Sequence, residues 1–282
     1  MPALPLPPRR PRLIATDLDG TIIGYRHTRS GYLSPRTVAA LQEAHETGVE
    51  VVFVTGRPLR WLGALSEQLG QVGPVICSNG AVVVDTATDE VLLHHPMDRD
   101  AVWDAVGRLR ALDRSATFGA ETLDGFFWES AFSEWGELEE GFRTAQRLEG
   151  VLPAHVDVVK LMARSSTMDP DVFLAAAREE LGALLNATHS APGVSLVEMA
   201  APGVHKAATL AEFAARRGVD ARDVVAFGDM PNDTEMLAWA GLGLAVASGH
   251  ESLLAVADAV VGECDDDGVA QAIELLLELP AE

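Results

Sequence analysis

Short apolar runs that end in polar turns mark the first third of the chain and limit the folds open to it. Residues 13–15, 49–54 and 74–77 each have the length of one strand, and helical patterns separate them. Four of the six residues at 49–54 are valine, and such a β-branched run is typical of strands that are covered on both faces of a parallel sheet. The alternation of strand and helix therefore predicts an open α/β sheet.

The pattern changes in the middle of the chain. Apolar runs at residues 81–84 and 91–94 flank a turn as in a hairpin, and short strand-like runs rich in aromatic residues follow. The parallel rhythm returns after Pro202-Gly203. We therefore expect an α/β fold with a Rossmann-like parallel core, residues 12–83 and 200–282, and an α+β domain inserted at residues 84–199.

Composition limits the partners and the compartment of the protein. The formal net charge of −21 argues against nucleic acid and anionic membranes as partners, because either would need a basic face to offset phosphate charge. Only two cysteines are present, and the longest apolar stretch, residues 236–247, is too short to span a bilayer. The Pro- and Arg-rich start lacks the apolar core of a signal peptide. We expect a cytoplasmic, soluble monomer or weak homodimer with a disordered tail at residues 1–11.

Two carboxylates, Asp17 and Asp19, stand two positions apart directly after the first apolar run. In an open α/β sheet, ligands bind outside the carboxyl ends of the strands, so both acids would point into a binding crevice. Neighbouring like charges raise each other's pKa unless a cation or a proton lies between them. A divalent metal ion, with a nucleophile and an acid/base residue around it, is one arrangement that accounts for such a pair.

Three further polar elements follow strands or open helices and would meet at the same edge of the sheet. They are Thr55-Gly56-Arg57, Lys206 and the GDMPND sequence at residues 228–233. The hydroxyl and the backbone amides of the first element could hold an oxyanion. Lys206 is one of only two lysines among 21 basic residues, so this chain strongly prefers arginine elsewhere. A lysine kept against that preference suits a point charge beside a phosphoryl group.

With these motifs in this order, the sequence resembles the haloacid dehalogenase superfamily, in particular its Cof-like sugar-phosphatase group with a type C2B α/β cap. The resemblance rests on DLDGT at residues 17–21, TGR at 55–57, the lone Lys206 and GDMPND at 228–233, and it covers nearly the whole chain. It implies a phosphoric monoester hydrolase with Mg²⁺ as cofactor. The substrate would be a small phosphorylated metabolite, with a sugar phosphate as the expected class, and the cap would supply most substrate contacts.

The resemblance assigns catalytic and metal-binding roles residue by residue. Asp17 would be the nucleophile that attacks phosphorus and forms an aspartyl phosphate. Asp19 would protonate the leaving oxygen and then deprotonate the hydrolytic water. Mg²⁺ would be held by the Asp17 carboxylate, the Asp19 backbone carbonyl and Asp229. Asp233 would orient Lys206 or belong to the surroundings of the metal.

The groups that bind the phosphoryl oxygens are carried over in the same way. Thr55 and Lys206 would contact these oxygens, together with the backbone amides of Leu18 and Gly56. These donors would offset the charge that is spread over the oxygens in a loose transition state. Asn232 would reach the phosphate or a metal-bound water.

Several positions keep two interpretations. Asn79 and Gly80, at the start of the insertion, would form either a turn or a hinge that touches the substrate. Lys160, on a cap strand, would either point into the crevice or lie at the surface. His205 is interpreted as a residue of the crevice edge or of packing, because Asp19 already fills the role of general base.

Two other functions are compatible with the same motifs. A phosphomutase shares the architecture and the aspartyl phosphate but returns the phosphoryl group to a sugar. A catalytically silent metabolite-binding protein is disfavoured, because no expected catalytic residue is missing. The need for a bisphosphate activator distinguishes the mutase, and the absence of p-nitrophenyl phosphate turnover with Mg²⁺ distinguishes the silent protein.

Overall fold

The protein forms two compact units in a computed structural model that describes residues 4–69, 72–132, 143–189 and 193–281. The core unit consists of Met1–Leu93 with Lys206–Glu282, and the cap unit is His94–His205. The cap unit is thus inserted into the sequence of the core unit. The predicted α/β fold, with a largely parallel core sheet and an inserted α+β unit, is confirmed.

Fourteen strands and eight α-helices lie in the described residues. The strands are β1 (Leu13–Thr16), β2 (Glu50–Val54), β3 (Val75–Cys77), β4 (Val82–Asp85), β5 (Glu90–His94), β6 (Thr117–Thr122), β7 (Gly125–Glu129), β8 (Arg143–Ala145), β9 (Val158–Arg164), β10 (Asn186–Thr188), β11 (Leu196–Ala200), β12 (Val224–Gly228), β13 (Leu242–Val246) and β14 (Ala259–Val261). The helices are α1 (Pro35–Glu46), α2 (Gly63–Leu69), α3 (Arg99–Leu112), α4 (Pro170–Leu181), α5 (Lys206–Arg216), α6 (Thr234–Trp239), α7 (Glu251–Leu254) and α8 (Gly268–Leu277). Among these helices, none combines the length and the apolar character that a membrane crossing requires.

The core unit contains an eight-stranded sheet in the order β14-β13-β12-β1-β2-β3-β4-β5. Its strands from β14 to β3 pair in parallel, whereas β4 runs antiparallel to β3. Strands β1 and β12 are buried along their whole length, as expected for strands that are covered on both faces. Because β1 lies between β2 and β12, the strand order reverses beside it. The carboxyl ends of these three strands therefore border the crevice where such sheets bind ligands.

Helix α1 illustrates how local sequence places a core element. Pro35 occupies its first turn, where a missing N–H costs nothing, and the Ser34 hydroxyl accepts a hydrogen bond from the Thr37 amide at 3.0 Å. The buried face includes Leu41 and Ala44, one turn apart. The capped start and the apolar face together fix the helix that follows the β1 loop.

The cap unit contains a six-stranded sheet in the order β10-β11-β9-β6-β7-β8. Pairing is antiparallel except between β7 and β8. Phe127 belongs to a large buried cluster with residues of α3 and α4, whereas its neighbours Phe126 and Trp128 pack with Met162 in a separate cluster. Successive residues of a strand face opposite sides, so both faces of this sheet carry apolar side chains.

The predicted bounds of the insertion, residues 84–199, differ from those of the cap unit. Strands β4 and β5 continue the core sheet beyond β3, so the hairpin belongs mainly to the core unit. At the other end, the turn after β11 stays with the cap unit up to His205. The apolar alternation identifies a hairpin correctly, but it does not indicate which of two sheets the hairpin joins.

The end of the predicted disordered tail is also held in place. Arg9 forms an ion pair with Asp223 at 2.8 Å, and the amide of Arg10 donates to the carbonyl of Pro280 at 2.8 Å. Residues 1–3 of this segment lie outside the described residues. Contacts with partners more than 200 positions away order the tail, and the Pro-rich composition does not reveal them.

Candidate active site

Loops of the core unit bring the principal predicted site residues to one edge of the sheet. Asp17 follows β1, Thr55 follows β2, Asp229 follows β12, and Lys206 is the first residue of α5. The last residue of β1, Thr16, pairs in the parallel register with Phe53 and Phe227, each the last residue but one of its strand. The three strand ends therefore present their following residues side by side.

Lys206 lies at the centre of a buried cluster of charges. Its Nζ atom is 2.6 Å from Asp17 Oδ1 and 2.7 Å from Asp233 Oδ1. All three side chains are buried. Burial alone would lower the pKa of Lys206, but the charges of the two carboxylates outweigh it and raise this pKa. Lys206 is therefore a charged ammonium at neutral pH.

Asp233 fixes both this ammonium and the loop that carries Asp229. While its Oδ1 atom contacts Lys206, its Oδ2 atom accepts hydrogen bonds from the amides of Asp229 and Met230, both at 3.1 Å. Gly228 permits this close approach, because a Cβ atom there would lie 2.6 Å from the Cβ of Asp233. Asp233 thus contacts both Lys206 and the loop that carries Asp229.

The Asp229 carboxylate is held by two hydroxyl groups from the loop after β1. Thr21 Oγ1 donates to Asp229 Oδ1 at 3.2 Å, and the hydroxyl of Tyr25 donates to Asp229 Oδ2 at 2.5 Å. Thr21 Oγ1 also lies 3.4 Å from Asp17 Oδ2. Burial and the charge of Asp229 raise the pKa of Tyr25, so its hydroxyl stays protonated as a donor.

Three carboxylates share this buried space. Asp17, Asp229 and Asp233 each offer an oxygen within 4.8 Å of the others. Burial, with the charges of Asp233 and Asp229, raises the pKa of Asp17 well above its ordinary value, although Lys206 opposes the change. Burial and Asp233 likewise raise the pKa of Asp229 to about 7, against the hydrogen bond from Tyr25. Lys206 compensates only part of the negative charge in the cluster.

The donor set of this cluster fits a divalent cation. Carboxylate oxygens are the ligands that hard cations such as Mg²⁺ prefer. Two positive charges would offset the burial and the repulsion between carboxylates, which together raise both aspartate pKa values. The backbone is also shaped to the carboxylates. At Gly20, with φ of +86°, a Cβ atom would lie 2.0 Å from Asp229 Oδ2, so only glycine fits there.

The raised pKa of Asp229 predicts how metal-free stability depends on pH. Between its ordinary pKa of 3.8 and the folded value of about 7, the folded protein holds a proton that the unfolded chain has lost. The contribution of Asp229 to the free energy of unfolding should therefore fall as the pH rises from about 4 to about 7. Urea unfolding of EDTA-treated wild type and Asp229→Asn protein across this range measures that contribution as the difference between the two.

Added Mg²⁺ supplies a second readout of the same titration. Because the metal competes with protons for the carboxylates, it should stabilise the wild type far more at pH 8 than at pH 5. The Asp229→Asn protein should show little of this pH dependence. Parallel pH curves for the two metal-free proteins would contradict the assignment of the titration to Asp229.

Asp19 stands apart from this cluster and is held by Arg57. The guanidinium donates from Nε to Asp19 Oδ2 and from Nη2 to Asp19 Oδ1, both at 2.6 Å. Nη2 also donates to the carbonyl of Thr28 at 2.7 Å. The Arg57 amide donates to Thr55 Oγ1 at 3.0 Å, which folds the TGR motif onto itself. The Asp19 side chain is 24% exposed and is thus the more accessible of the two acids in the motif.

The remaining predicted binding residues line the same loops. The Leu18 carbonyl accepts the amides of Ile22 and Ile23, which closes the loop after β1. Asn232 Nδ2 donates to Asn79 Oδ1 at 3.2 Å, and the buried Asn232 Oδ1 atom has no partner among the described residues. Gly56 stands between Thr55 and Arg57 in the loop after β2. The carbonyl of Gly80 accepts a hydrogen bond from Thr209 Oγ1 of α5 at 2.7 Å.

Two predicted positions belong to the cap unit. Lys160 is buried, and its Nζ atom lies 2.6 Å from Glu198 Oε1 on the neighbouring strand. The surface interpretation of Lys160 is therefore wrong, because a buried carboxylate pairs its charge. His205 is half-buried, and its Nδ1 atom has no hydrogen-bond partner in the part of the chain that the structure describes.

The structure adds partners that sequence reasoning missed. Arg57 stands inside a recognised motif, but its pairing with Asp19 was not predicted. Tyr25 lies outside every motif, although it contacts Asp229. One signal in the sequence could have identified Tyr25: it is one of only two tyrosines in the chain, and it follows closely after Asp17 and Asp19.

A family model and several named relatives match nearly the whole chain. Residues 14–273 match the family model of haloacid dehalogenase-like hydrolases. The chain is 28% identical over 266 residues to a 5-amino-6-(5-phospho-D-ribitylamino)uracil phosphatase of Bacillus subtilis. The aligned region covers 93% of this chain and 94% of that relative. It is also 28% identical over 274 residues to a pyridoxal phosphate phosphatase of Escherichia coli, with 93% and 97% covered.

Solved structures show the same fold. A Streptococcus mutans protein superposes with a TM-score of 0.81 at 20% identity and covers 95% of this chain and 99% of its own. A haloacid dehalogenase-like hydrolase from Bacillus subtilis gives a TM-score of 0.79 at 24% identity, with 93% and 99% covered. Together with the match over residues 14–273, the phosphatases among the relatives show that this chain belongs to the haloacid dehalogenase-like hydrolases, as a phosphatase of the Cof-like group.

Proposed function

We propose that the protein is a Mg²⁺-dependent phosphatase that hydrolyses a small phosphorylated metabolite through an aspartyl phosphate on Asp17. The observation that carries the proposal is the buried contact of Asp17 with Lys206, beside the carboxylates of Asp229 and Asp233. A carboxylate that is held by an ammonium and stands at the carboxyl end of a central strand is oriented for attack on a ligand in the crevice.

The proposed reaction has two steps, and both use the same pair of acids. In the first, the Asp17 carboxylate attacks phosphorus, the bond to the leaving oxygen breaks, and Asp19 gives that oxygen its proton. In the second, Asp19 takes a proton from water, the water oxygen attacks phosphorus, and the bond to Asp17 breaks. The products are the dephosphorylated alcohol and inorganic phosphate, and both aspartates return to their starting state.

Asp19 has to reach the leaving oxygen for this role. In the described conformation Arg57 holds both of its carboxylate oxygens, so we propose that Asp19 exchanges this contact for the substrate during turnover. Its exposure, greater than that of Asp17, supports this view. Arg57 then acts as the residue that keeps Asp19 oriented between reactions.

The phosphoryl oxygens would be surrounded by donors from three loops. Lys206 carries a charge that does not titrate near neutrality, and Thr55 offers a hydroxyl at the end of β2. The backbone amides of Leu18 and Gly56 lie in the loops that follow β1 and β2. Preorganised donors of this kind act most strongly in the transition state, where charge spreads over the transferred group.

The metal would be held by the Asp17 and Asp229 carboxylates and the Asp19 backbone carbonyl. When bound, Mg²⁺ would supply positive charge that reduces repulsion between Asp17 and the phosphoryl oxygens. Both oxygens of Asp233 already accept hydrogen bonds, so we propose that it positions Lys206 and the Asp229 loop beside the metal. The unpaired Asn232 Oδ1 atom is an acceptor, which suits a water near the metal better than a phosphate oxygen.

A phosphate-release assay tests the function directly. Purified protein with Mg²⁺ should release inorganic phosphate from p-nitrophenyl phosphate and from members of a panel of hexose phosphates, ribitol phosphates and pyridoxal phosphate. Ribitol phosphates are included because one relative is named for 5-amino-6-(5-phospho-D-ribitylamino)uracil, and pyridoxal phosphate because another is named for that compound. No bisphosphate should be needed.

The same assay separates the alternatives. A phosphomutase would require a bisphosphate activator and would yield an isomeric sugar phosphate instead of inorganic phosphate. A silent binding protein would not turn over p-nitrophenyl phosphate at all. Ratios of kcat/KM across the panel then identify the moiety that we propose the cap unit recognises.

A further inference from the structure

Tyr25 encloses one oxygen of the proposed metal ligand Asp229. Its hydroxyl lies 2.5 Å from Asp229 Oδ2. The Gly20 backbone also approaches this oxygen closely, because an added Cβ atom there would lie 2.0 Å from Oδ2 and 2.7 Å from Cζ of Tyr25. The hydroxyl, the Gly20 backbone and Oδ2 are therefore packed closely together, and Oδ2 already accepts the hydrogen bond from Tyr25.

The loop after β1 holds Tyr25 in this position. The Gly20 amide donates to the Ile23 carbonyl at 2.7 Å, and the Ile23 amide donates to the Leu18 carbonyl at 2.8 Å. A short 3-10 turn, Tyr25–His27, begins directly after this closed loop. The hydroxyl that contacts Asp229 is thus placed by the same segment that carries Asp17.

The other oxygen of each aspartate lies near one hydroxyl group. Lys206 occupies Asp17 Oδ1, and Tyr25 occupies Asp229 Oδ2. The remaining oxygens, Asp17 Oδ2 and Asp229 Oδ1, both lie near Thr21 Oγ1, at 3.4 Å and 3.2 Å. Each of the two aspartates therefore has one oxygen beside the Thr21 hydroxyl and one oxygen that contacts Lys206 or Tyr25.

We infer that Tyr25 is a positioning residue that restricts Asp229 to a single oxygen toward the metal and thereby favours Mg²⁺ over Ca²⁺. Mg²⁺ demands an octahedral shell at about 2.0–2.1 Å, whereas Ca²⁺ takes about 6–8 oxygens and accepts bidentate carboxylates. A carboxylate that cannot turn its second oxygen to the ion suits the smaller cation. The inference rests on the proposed metal site.

Calorimetric titration of EDTA-treated, dialysed protein with MgCl₂ and with CaCl₂ at pH 8 tests this role. Tyr25→Phe keeps the ring and removes the hydroxyl. Loss of a hydrogen bond to a metal-ligating carboxylate typically costs about 10- to 100-fold in metal affinity, and we expect a Mg²⁺ loss of this size. Because the freed Asp229 oxygen becomes available to Ca²⁺, affinity for Ca²⁺ should stay level or rise. The ratio of the two affinities should then fall at least tenfold.

Tyr32→Phe is the matched control, since Tyr32 is the other tyrosine of the chain. Its ring packs against that of His27, with 5.1 Å between the ring centroids. This variant should bind both metals as the wild type does. Circular dichroism and urea unfolding verify that each variant is folded, which the half-exposed position of Tyr25 allows.

Three results would overturn the inference. Mg²⁺ affinity of Tyr25→Phe within threefold of wild type would show that the hydroxyl does not position the ligand. An equal loss for both metals would show that Tyr25 supports the site without selecting the ion. Wild-type protein that binds no Mg²⁺ would reject the proposed metal site as well, and this outcome separates the two failures.

Discussion

Asp17→Asn should abolish turnover while the protein remains folded. Removal of a nucleophile from a hydrolase site costs on the order of 10⁵-fold or more in kcat, because the residual groups cannot form the covalent intermediate. The asparagine oxygen can still accept the hydrogen bond from Lys206, and the variant has one buried negative charge fewer beside Asp229. We therefore expect no loss of metal-free stability. Phosphate release from p-nitrophenyl phosphate and urea unfolding measure the two quantities.

Asp265→Asn provides the control for this substitution. Asp265 is an exposed acid that pairs with Arg26 at 3.0 Å, so the same chemical change there should leave kcat unchanged. Activity of Asp17→Asn above about 1% of wild type, a barrier change of less than about 3 kcal/mol, would remove Asp17 from the role of nucleophile. Complete inactivity with an unfolded protein would instead call for Asp17→Glu, which keeps the charge and displaces it.

Lys206→Ala should reduce both catalysis and stability. Loss of one preorganised partner of a transition-state oxyanion costs on the order of 10²–10³ in kcat, or about 2.7–4 kcal/mol. In the metal-free protein the change also leaves Asp17 and Asp233 buried without their cation. Breaking a buried ion pair from one side destabilises by about 3–5 kcal/mol. Mg²⁺ should recover part of this stability, since it returns positive charge to the cluster.

Lys160→Ala separates the two effects. Lys160 is the other lysine of the chain, is equally buried, and pairs with Glu198 at 2.6 Å. Loss of Lys160 should destabilise the protein about as much as loss of Lys206 does. It should leave kcat toward p-nitrophenyl phosphate within about threefold of wild type, which is a barrier change of under about 1 kcal/mol. If Lys206→Ala lost no more activity than Lys160→Ala, the catalytic role of Lys206 would be rejected.

Much of the candidate site could be predicted from the sequence because of one property of parallel sheets. Asp17, Thr55 and Asp229 each follow a short apolar run, and parallel pairing aligns the ends of those strands at one edge. Lys206 is distinguished by its residue type in a chain that otherwise uses arginine. Convergence of these residues therefore required no knowledge of long-range contacts.

The bounds of the two units could not be predicted as well from the sequence. The hairpin of β4 and β5 has the same alternating pattern whether it extends the core sheet or begins the cap, and only its pairing with β3 decides. The residues of the tail that contact Asp223 and Pro280 have the composition of a disordered segment. In both cases the missing information is the identity of a distant pairing partner.

The sequence by itself determined the fold class, the edge of the sheet where the site lies and the acids that form it. Periodicity and the residues that follow strands are local properties, and they suffice for these conclusions. Only the tertiary structure decided which atoms meet. The contact of Tyr25 with Asp229 joins residues 204 positions apart, and that of Arg57 with Asp19 joins residues 38 apart. Such contacts depend on loop conformation and side-chain direction, which no pattern of neighbouring residues specifies.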